Sequence, residues 1–336
     1  MSVTIRDLAK KSGYSIATIS RALSNIQTVK PETRQHILQI ANELGYEYQH
    51  HGRREPVRSN VVMLIVGDIM NPFYLTIIKG VNDLFNEQGI KLAIFNSDYD
   101  PLREENLVQF ANESKYDGII MITAMETAGL VSVLKKASCP IVLANRTIRS
   151  MDLNAVCIDN YRGGYMAAAH LIEEGHRKIA HLAGPSNSTA SQDRERGFRD
   201  AMKDHQLSLP EMAVRPGTLK RESGVEFARY YMNNLRDYTA VFCANDLMAA
   251  GFSETLLESG LSVPDDVSVI GFDDSPAAVS GPVKLTTISR DSYLMGRAAA
   301  EMMVDELVRG DHRCRKIIFP PTLTMRSSVR RLASSS

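Results

Sequence analysis

The chain has 336 residues, 39 Lys/Arg, 39 Asp/Glu and a formal net charge of zero, a length that allows two or three domains around a large core. The charge is uneven: residues 1–60 hold nine Lys/Arg against five Asp/Glu, and the remainder carries the compensating acidic excess. A basic head on a mildly acidic body suits a head that meets phosphates. Cys139, Cys157, Cys243 and Cys314 lie far apart with no Cys-x-x-Cys pair, which excludes a disulfide framework or thiolate metal site and leaves buried free thiols of a reducing compartment. The start has no apolar h-region and no apolar run approaches a membrane span, so a cytoplasmic protein with no membrane partner is expected.

In chain order, residues 4–25, TIRDLAKKSGYSIATISRALSN, read first as a helix-turn-helix. Thr4 can N-cap a first helix, with Asp7 three residues on completing a capping-box-like pattern. Ile5, Leu8 and Ala9 share one face, and Gly13 ends the helix by tolerating a left-handed turn. Ser15 then caps a second helix, 16–23, whose Ile19 and Leu23 face inward and whose Ala17, Thr18, Ser20 and Arg21 face outward. Small and basic residues on such a second helix are what a major groove accepts; a small helical packing module is the bland alternative. A third helix runs from Pro31 through Ile37, Ile40 and Leu44 to Gly45. Residues 46–60, YEYQHHGRREPVRSN, read as a linker in which Gly52 lowers helix propensity and Pro56 ends any helix.

From residue 61 strands alternate with helices. Apolar β-rich runs stand at 61–66, 91–95, 118–123, 140–145, 179–184, 240–245 and 267–272, and continuous apolar strands between helices argue for parallel sheets covered on both faces. About ten strands exceed one ordinary sheet, so two doubly wound subdomains with a cleft are expected. Ligands in such folds sit beyond the carboxyl ends of the strands. There the sequence places Asn71, Phe73 and Tyr74, then Asn96, Ser97 and Asp98, then Arg194, Asn245 and Asp273. Aromatic faces among Asn, Asp and Arg suit a polyhydroxylated ring. Asp246 and Asp274 read as helix caps.

Catalysis finds no constellation. There is no glycine-rich phosphate loop after a strand, no Gly-x-Ser-x-Gly elbow and no His-Glu-x-x-His, so no catalytic residues, metal or cofactor are expected. His170, His176 and His181 fall on a helix, a turn and a strand. Asp98 and Asp100 lie in a loop without a nucleophile or base.

Taken together, TIRDLAKKSGYSIATISRALSN, VKPETRQHILQIANELGY, NPFY, DGII, DNYRGGYMAAAHLIEEGHRKIAHLAG, CANDLMAAG, VIGFDD, LTTISRD and LTMRSS resemble, in order and spacing, the LacI/GalR family of bacterial transcription regulators. The resemblance covers nearly the whole chain. It implies a DNA-binding repressor with an all-α helix-turn-helix head and an α/β core of two doubly wound parallel-sheet subdomains, like periplasmic sugar-binding proteins. A homodimer on a palindromic double-stranded operator follows, with a small sugar or sugar-derivative effector in the cleft. The implied divisions are a head at 1–45, a hinge at 46–60 and a core at 61–330, its N-subdomain at 61–155 and 291–319 and its C-subdomain at 156–288 and 320–330. Crossings between subdomains should fall near 145–160, 285–290 and 319–322.

By the same resemblance Ile16, Ala17 and Arg21 read base edges, while Thr18, Ser20 and the backbone near Thr4 and Asn25 hold phosphates; Ser15 joins this surface. The effector set is Asn71, Phe73, Tyr74, Asp98, Arg194, Asn245, Asp273 and Arg290. An arginine at 290, where sugar-responsive relatives often carry Gln, points to an anionic effector such as a sugar acid or phosphate, with Lys220 and Arg221 nearby if their loop lines the cleft. In the hinge, Glu55 stands where the family usually places a Leu that wedges into the minor groove. Either Arg53 and Arg54 alone contact DNA there, or the register is shifted. Residues after LTMRSS are too few for a heptad-bearing tetramerisation helix, which favours a dimer. A solute-binding protein of a transport system is the alternative that shares the core but has no use for the head.

Overall fold

The computed structural model describes residues 4–23, 29–44 and 60–332, which divide into two compact units, residues 1–58 and 59–336. The smaller holds three helices, α1 (Ile5–Ser12), α2 (Ile16–Leu23) and α3 (Pro31–Glu43). Both the amide and the hydroxyl of Thr4 donate to the Asp7 carboxylate, at 2.8 and 2.6 Å, and Gly13 ends α1 at φ 73°. The Ser15 hydroxyl accepts the Thr18 amide at 3.1 Å, which starts α2. Leu8, Ile19, Ala22, Ile37 and Ala41 make the small core where the three helices meet. Arg34 of α3 donates to the Ala22 carbonyl at 3.1 Å, tying down the last turn of α2. The side chains of Ser20 and Leu23, together with Asn25, Gly45 and the hinge positions Arg53, Arg54 and Glu55, lie outside the described residues.

In the larger unit β1 (Val61–Val66), β2 (Lys91–Asn96), β3 (Gly118–Met121), β4 (Ile141–Ala144), β5 (Asn154–Ile158) and, from far downstream, β11 (Lys316–Phe319) form one parallel sheet in the order β11-β5-β4-β3-β1-β2. The VVMLIV run is apolar throughout because both faces are covered. Val62, Leu64 and Val66 pack with α4 (Phe73–Glu87) and α12 (Ser292–Val304), whereas Met63 and Ile65 pack with α5 (Pro101–Glu113) and α6 (Ala128–Lys135). The second sheet runs β12-β10-β9-β8-β6-β7, from β6 (Ile179–Ala183), β7 (Val214–Pro216), β8 (Ala240–Cys243), β9 (Ser268–Phe272), β10 (Thr286–Ser289) and β12 (Thr322–Thr324). It is parallel except at its edge, where β12 pairs antiparallel with β10. Its covering helices are α7 (Asn160–Glu173), α8 (Thr189–Asp204), α9 (Arg221–Asn234), α10 (Asp246–Glu258) and the short α11 (Ala277–Ser280).

Several expectations are corrected. β5 continues the first sheet to Ile158, because Val142 to Ala144 pair with Asn154 to Val156; the subdomain boundary expected after 155 moves to 158. Cys314 is exposed and Cys139 half-buried, so only Cys157 and Cys243 are the buried free thiols expected of all four. Among the described residues no helix is long and apolar enough to cross a membrane.

One close helix crossing positions the site. A Cβ on Gly164 of α7 would stand 2.0 Å from the Arg194 carbonyl oxygen of α8. Only glycine lets the two backbones meet there, and that contact sets the height at which Arg194 projects from α8.

Candidate functional site

On the head, α2 turns its outer face to solvent. Ile16 is 47% exposed, as several other large apolar side chains of the chain are. Ala17 and Arg21 are exposed beside it, and Thr18 is half-buried with its hydroxyl 2.8 Å from that of Ser15. The helix therefore offers an apolar patch and one exposed guanidinium with no ion pair among the described residues, the chemistry that reads a thymine methyl and a guanine edge.

In the core, the carboxyl ends of both sheets face one narrow cleft with about 20 Å³ of free interior. The first lobe contributes Asn71, Phe73 and Tyr74 after β1, Tyr99 after β2, and Asn145 and Arg146 after β4. The second contributes Ser191 and Arg194 from the start of α8, Leu219, Asn245 after β8 and Asp273 after β9. The loop after β1 is shaped by Asn71, whose side-chain oxygen accepts the Phe73 amide at 3.1 Å. The rings of Phe73 and Tyr74 lie 5.2 Å apart, and the Tyr74 and Tyr99 hydroxyls are 2.9 Å from each other. Burial raises both phenols above their ordinary pKa, so they stay neutral hydrogen-bonding groups at physiological pH.

Across the cleft Arg194 is 5% exposed and fully engaged. Its Nε donates to Asn160 at 2.8 Å, one Nη donates to the Ala244 carbonyl at 2.5 Å and the other lies 3.7 Å from Asp273. The guanidinium stacks 3.6 Å over the Phe272 ring. Burial pushes its pKa down to about 10, against the pull of Asp273, which still leaves it charged at neutral pH. Asp273 holds a left-handed backbone, φ 114°, pinned where its amide donates to the Ile288 carbonyl at 2.8 Å. Strain of this kind in a non-glycine residue gathers at binding sites.

Of the expected effector residues, Asn71, Phe73, Tyr74, Arg194, Asn245 and Asp273 line this cleft. Asn245 also caps α10, accepting the Met248 amide at 2.9 Å. Arg290 stands behind the wall: it donates to Asp273 at 3.1 Å and to Asn145 at 3.0 Å, with its guanidinium 4.2 Å from the Phe73 ring. Both Nη groups are bonded to protein and only Nε is left without a partner, so it braces the cleft from behind its lining. Asp98 is exposed at φ 55° and pairs with Arg103 on the outside; its neighbour Tyr99 enters the cleft instead. Lys220 and Arg221 do not line it either, since Leu219 faces inward and Arg221 pairs with Glu254.

Asp246 and Asp274 are not caps. Asp246 is fully buried and accepts the Ser275 amide at 2.7 Å and the Thr287 hydroxyl at 2.6 Å, and burial together with the Asp273 charge raises its pKa to about 8. Asp274 pairs with Arg326 at 2.5 Å. Asp100 caps α5, accepting the Leu102 amide at 2.9 Å. Tyr99, Asn145, Arg146, Ser191 and Leu219 are cleft residues that sequence reasoning missed, as are Ser188 and Ala190 beside them. The strand-end rule reached the run ending at Asn145 and would have found that residue and Arg146 had it been applied there.

Comparison with known proteins follows the same two units. Residues 4–48 match the bacterial regulatory proteins of the lacI family, and residues 168–329 match a periplasmic binding protein-like domain. The chain is 33% identical over 334 residues to the HTH-type transcriptional regulator DegA of Bacillus subtilis, covering 98% of each. It is 30% identical over 334 residues to the HTH-type transcriptional repressor PurR of Haemophilus influenzae, covering 97% of this chain and 98% of the relative. Among solved structures, the regulator CelR in complex with cellobiose overlays with a TM-score of 0.75 at 29% identity, over 97% of this chain and 99% of that one. A LacI family regulator from Enterococcus faecium with bound ribose gives 0.72 at 27% identity, over 81% and 100%. The chain is a transcription regulator, not an enzyme, and it belongs to the LacI family of bacterial regulatory proteins.

Proposed function

We propose that this regulator is a cytoplasmic homodimeric repressor whose affinity for a palindromic operator is set by a sugar or sugar derivative bound in the core cleft. One observation carries the reading. Side chains from the carboxyl ends of two separate sheets converge on a single buried cleft, with aromatic faces on one lobe and an Arg–Asp pair on the other. Aromatic rings cover the apolar face of a sugar, and the polar groups take its hydroxyls. Two structural relatives hold cellobiose and ribose, which supports the same class of ligand here. The transport alternative gives no role to a head that matches lacI-family regulators.

A ligand that touches both lobes favours the closed arrangement by its differential affinity, and that bias is what alters the placement of the two heads. In the head, Thr4, Ser15, Thr18, Ser20 and Asn25 hold phosphates while Ile16, Ala17 and Arg21 read bases; Arg53 and Arg54 add contacts from the hinge.

The test is thermal unfolding of the full chain against sugars, sugar acids, sugar phosphates and nucleosides. A ligand at a hundred times its Kd adds about 2.7 kcal/mol, enough to raise the midpoint by a few degrees. The hit is then added to an anisotropy titration with a palindromic DNA fragment. A midpoint shift with changed DNA affinity supports the proposal; no hit, or a hit that leaves DNA binding untouched, overturns it.

A further inference from the structure

We infer that the effector is an anion, a polyhydroxyl compound bearing a carboxylate or a phosphate, and that Arg146 receives its charged group. This rests on the cleft being the effector site. Arg146 follows β4, lines the cleft and is 3% exposed. Among the described residues it makes no ion pair, and its hydrogen bond is from Nη1 to the Met125 sulfur at 3.3 Å. A thioether is a weak acceptor, and a guanidinium has five N–H donors. Most of the donor capacity of this buried cation therefore has no protein partner.

The other two arginines of the site differ in kind. Arg194 donates to Asn160 and the Ala244 carbonyl and approaches Asp273; Arg290 donates to Asp273 and Asn145 and leaves only Nε without a partner, so each lies against a carboxylate. Asp273 is thus shared between two cations and cannot serve a third. Glu104, whose carboxyl feels the Arg146 charge, offers one oxygen to the Met125 amide and leaves the other without a partner. Burial lifts its pKa to about 7, so at neutral pH it carries only part of a negative charge. Three buried guanidiniums consequently face one committed carboxylate, Asp273, and a Glu104 that is only partly ionised. An unpaired buried cation is unfavourable, and a bound carboxylate or phosphate would complete the pair in the two-pronged geometry that arginine matches. The expected anion site thereby moves from Arg290 to Arg146.

The experiment uses the full chain and matched sets: glucose, gluconate and glucose 6-phosphate; ribose, ribonate and ribose 5-phosphate. Titration calorimetry on the wild type should show the anionic member of at least one set binding about tenfold or more tighter than its neutral counterpart, as charge-assisted hydrogen bonds allow. The better anion tells carboxylate from phosphate. In Arg146→Gln the preference should fall to about onefold, in Arg146→Lys it should be partly kept, and in Arg103→Gln, outside the cleft, it should persist. Unliganded Arg146→Met should melt no lower than the wild type, since it removes an unpaired charge. A marked fall in that midpoint would make Arg146 a packing residue and overturn the inference. Equal binding of neutral and anionic members would also overturn it while leaving the sugar reading standing. If no compound of any set binds, the sugar reading fails and this inference falls with it.

Discussion

On the head, Ile16, Ala17 and Arg21 project from α2 into solvent, while Leu8, Ile19 and Ile37 beneath them hold the three helices together. In the cleft, Phe73, Arg194, Asp273 and Arg290 are each less than 10% exposed and bound to one another. On the proposed function, recognition and stability are carried by different residues in the head and by the same residues in the core. DNA is a large partner that supplies its own surface, so a reading helix needs only to be held rigid from behind. A small ligand has to be surrounded, and surrounding it buries charged groups that must then satisfy each other.

The sharpest way to break this comparison is Arg194→Ala. It removes the donor to Asn160 and to the Ala244 carbonyl and one of the two cations on Asp273, which keeps Arg290, so the core should lose about 2–4 kcal/mol through buried polar groups left unpaired. Urea unfolding followed at the core measures it, and effector binding should vanish in the same variant. A loss below 1 kcal/mol would show that the cleft network carries no stability.

Next comes the pH dependence of the core. Asp246 is raised from 3.8 to about 8, so the folded state keeps a proton that the unfolded chain releases. Its contribution is present below about pH 4 and drains away as the pH rises toward about 8. Asp246→Asn should flatten the stability curve over that window relative to the wild type, and unfolding midpoints at pH 5, 6.5 and 8 would show it. Parallel curves for the two proteins would mean that Asp246 titrates normally.

Leu8→Ala tests the head in the opposite sense. A fully buried leucine removed from so small a core should cost about 2–4 kcal/mol of head stability, with effector affinity unchanged. Hydrogen exchange of α1 amides reports the first and calorimetry the second. The smallest effect sharpens the contrast. Arg21→Ala should weaken operator binding by about 1–3 kcal/mol and shift the thermal midpoint by less than about 1 °C. A cleft variant that behaved like Arg21→Ala, or a stability loss at Arg21, would dissolve the distinction.

The head was legible because its determinants are local. Thr4 and Asp7, Gly13, Ser15 and Pro31 act within three or four residues of themselves, and Leu8 and Ile19 follow helical spacing. The sheets were legible where strands are long and apolar, as at 61–66, and illegible where they are short or polar. Val214–Pro216, Thr286–Ser289 and Thr322–Thr324 have no hydrophobic run to announce them, and their neighbours in the second sheet hold them in place. Asn154–Ile158 fell on the wrong side of a boundary because only pairing with β4 shows which sheet owns it.

By itself, then, the order of residues determined the fold class, the helix-turn-helix and the rim on which most of the cleft side chains gather. Those follow from periodicity, caps and the rule that parallel strands end on one side of their sheet. Only the tertiary structure decided the chemistry inside the cleft. Tyr99 turns in while Asp98 turns out, Arg290 is held against Asp273 and Asn145, and Arg146 makes no ion pair among the described residues. Such partnerships join residues as far apart as positions 145 and 290, and at that separation a charge is paired or unpaired only by where the chain has brought it.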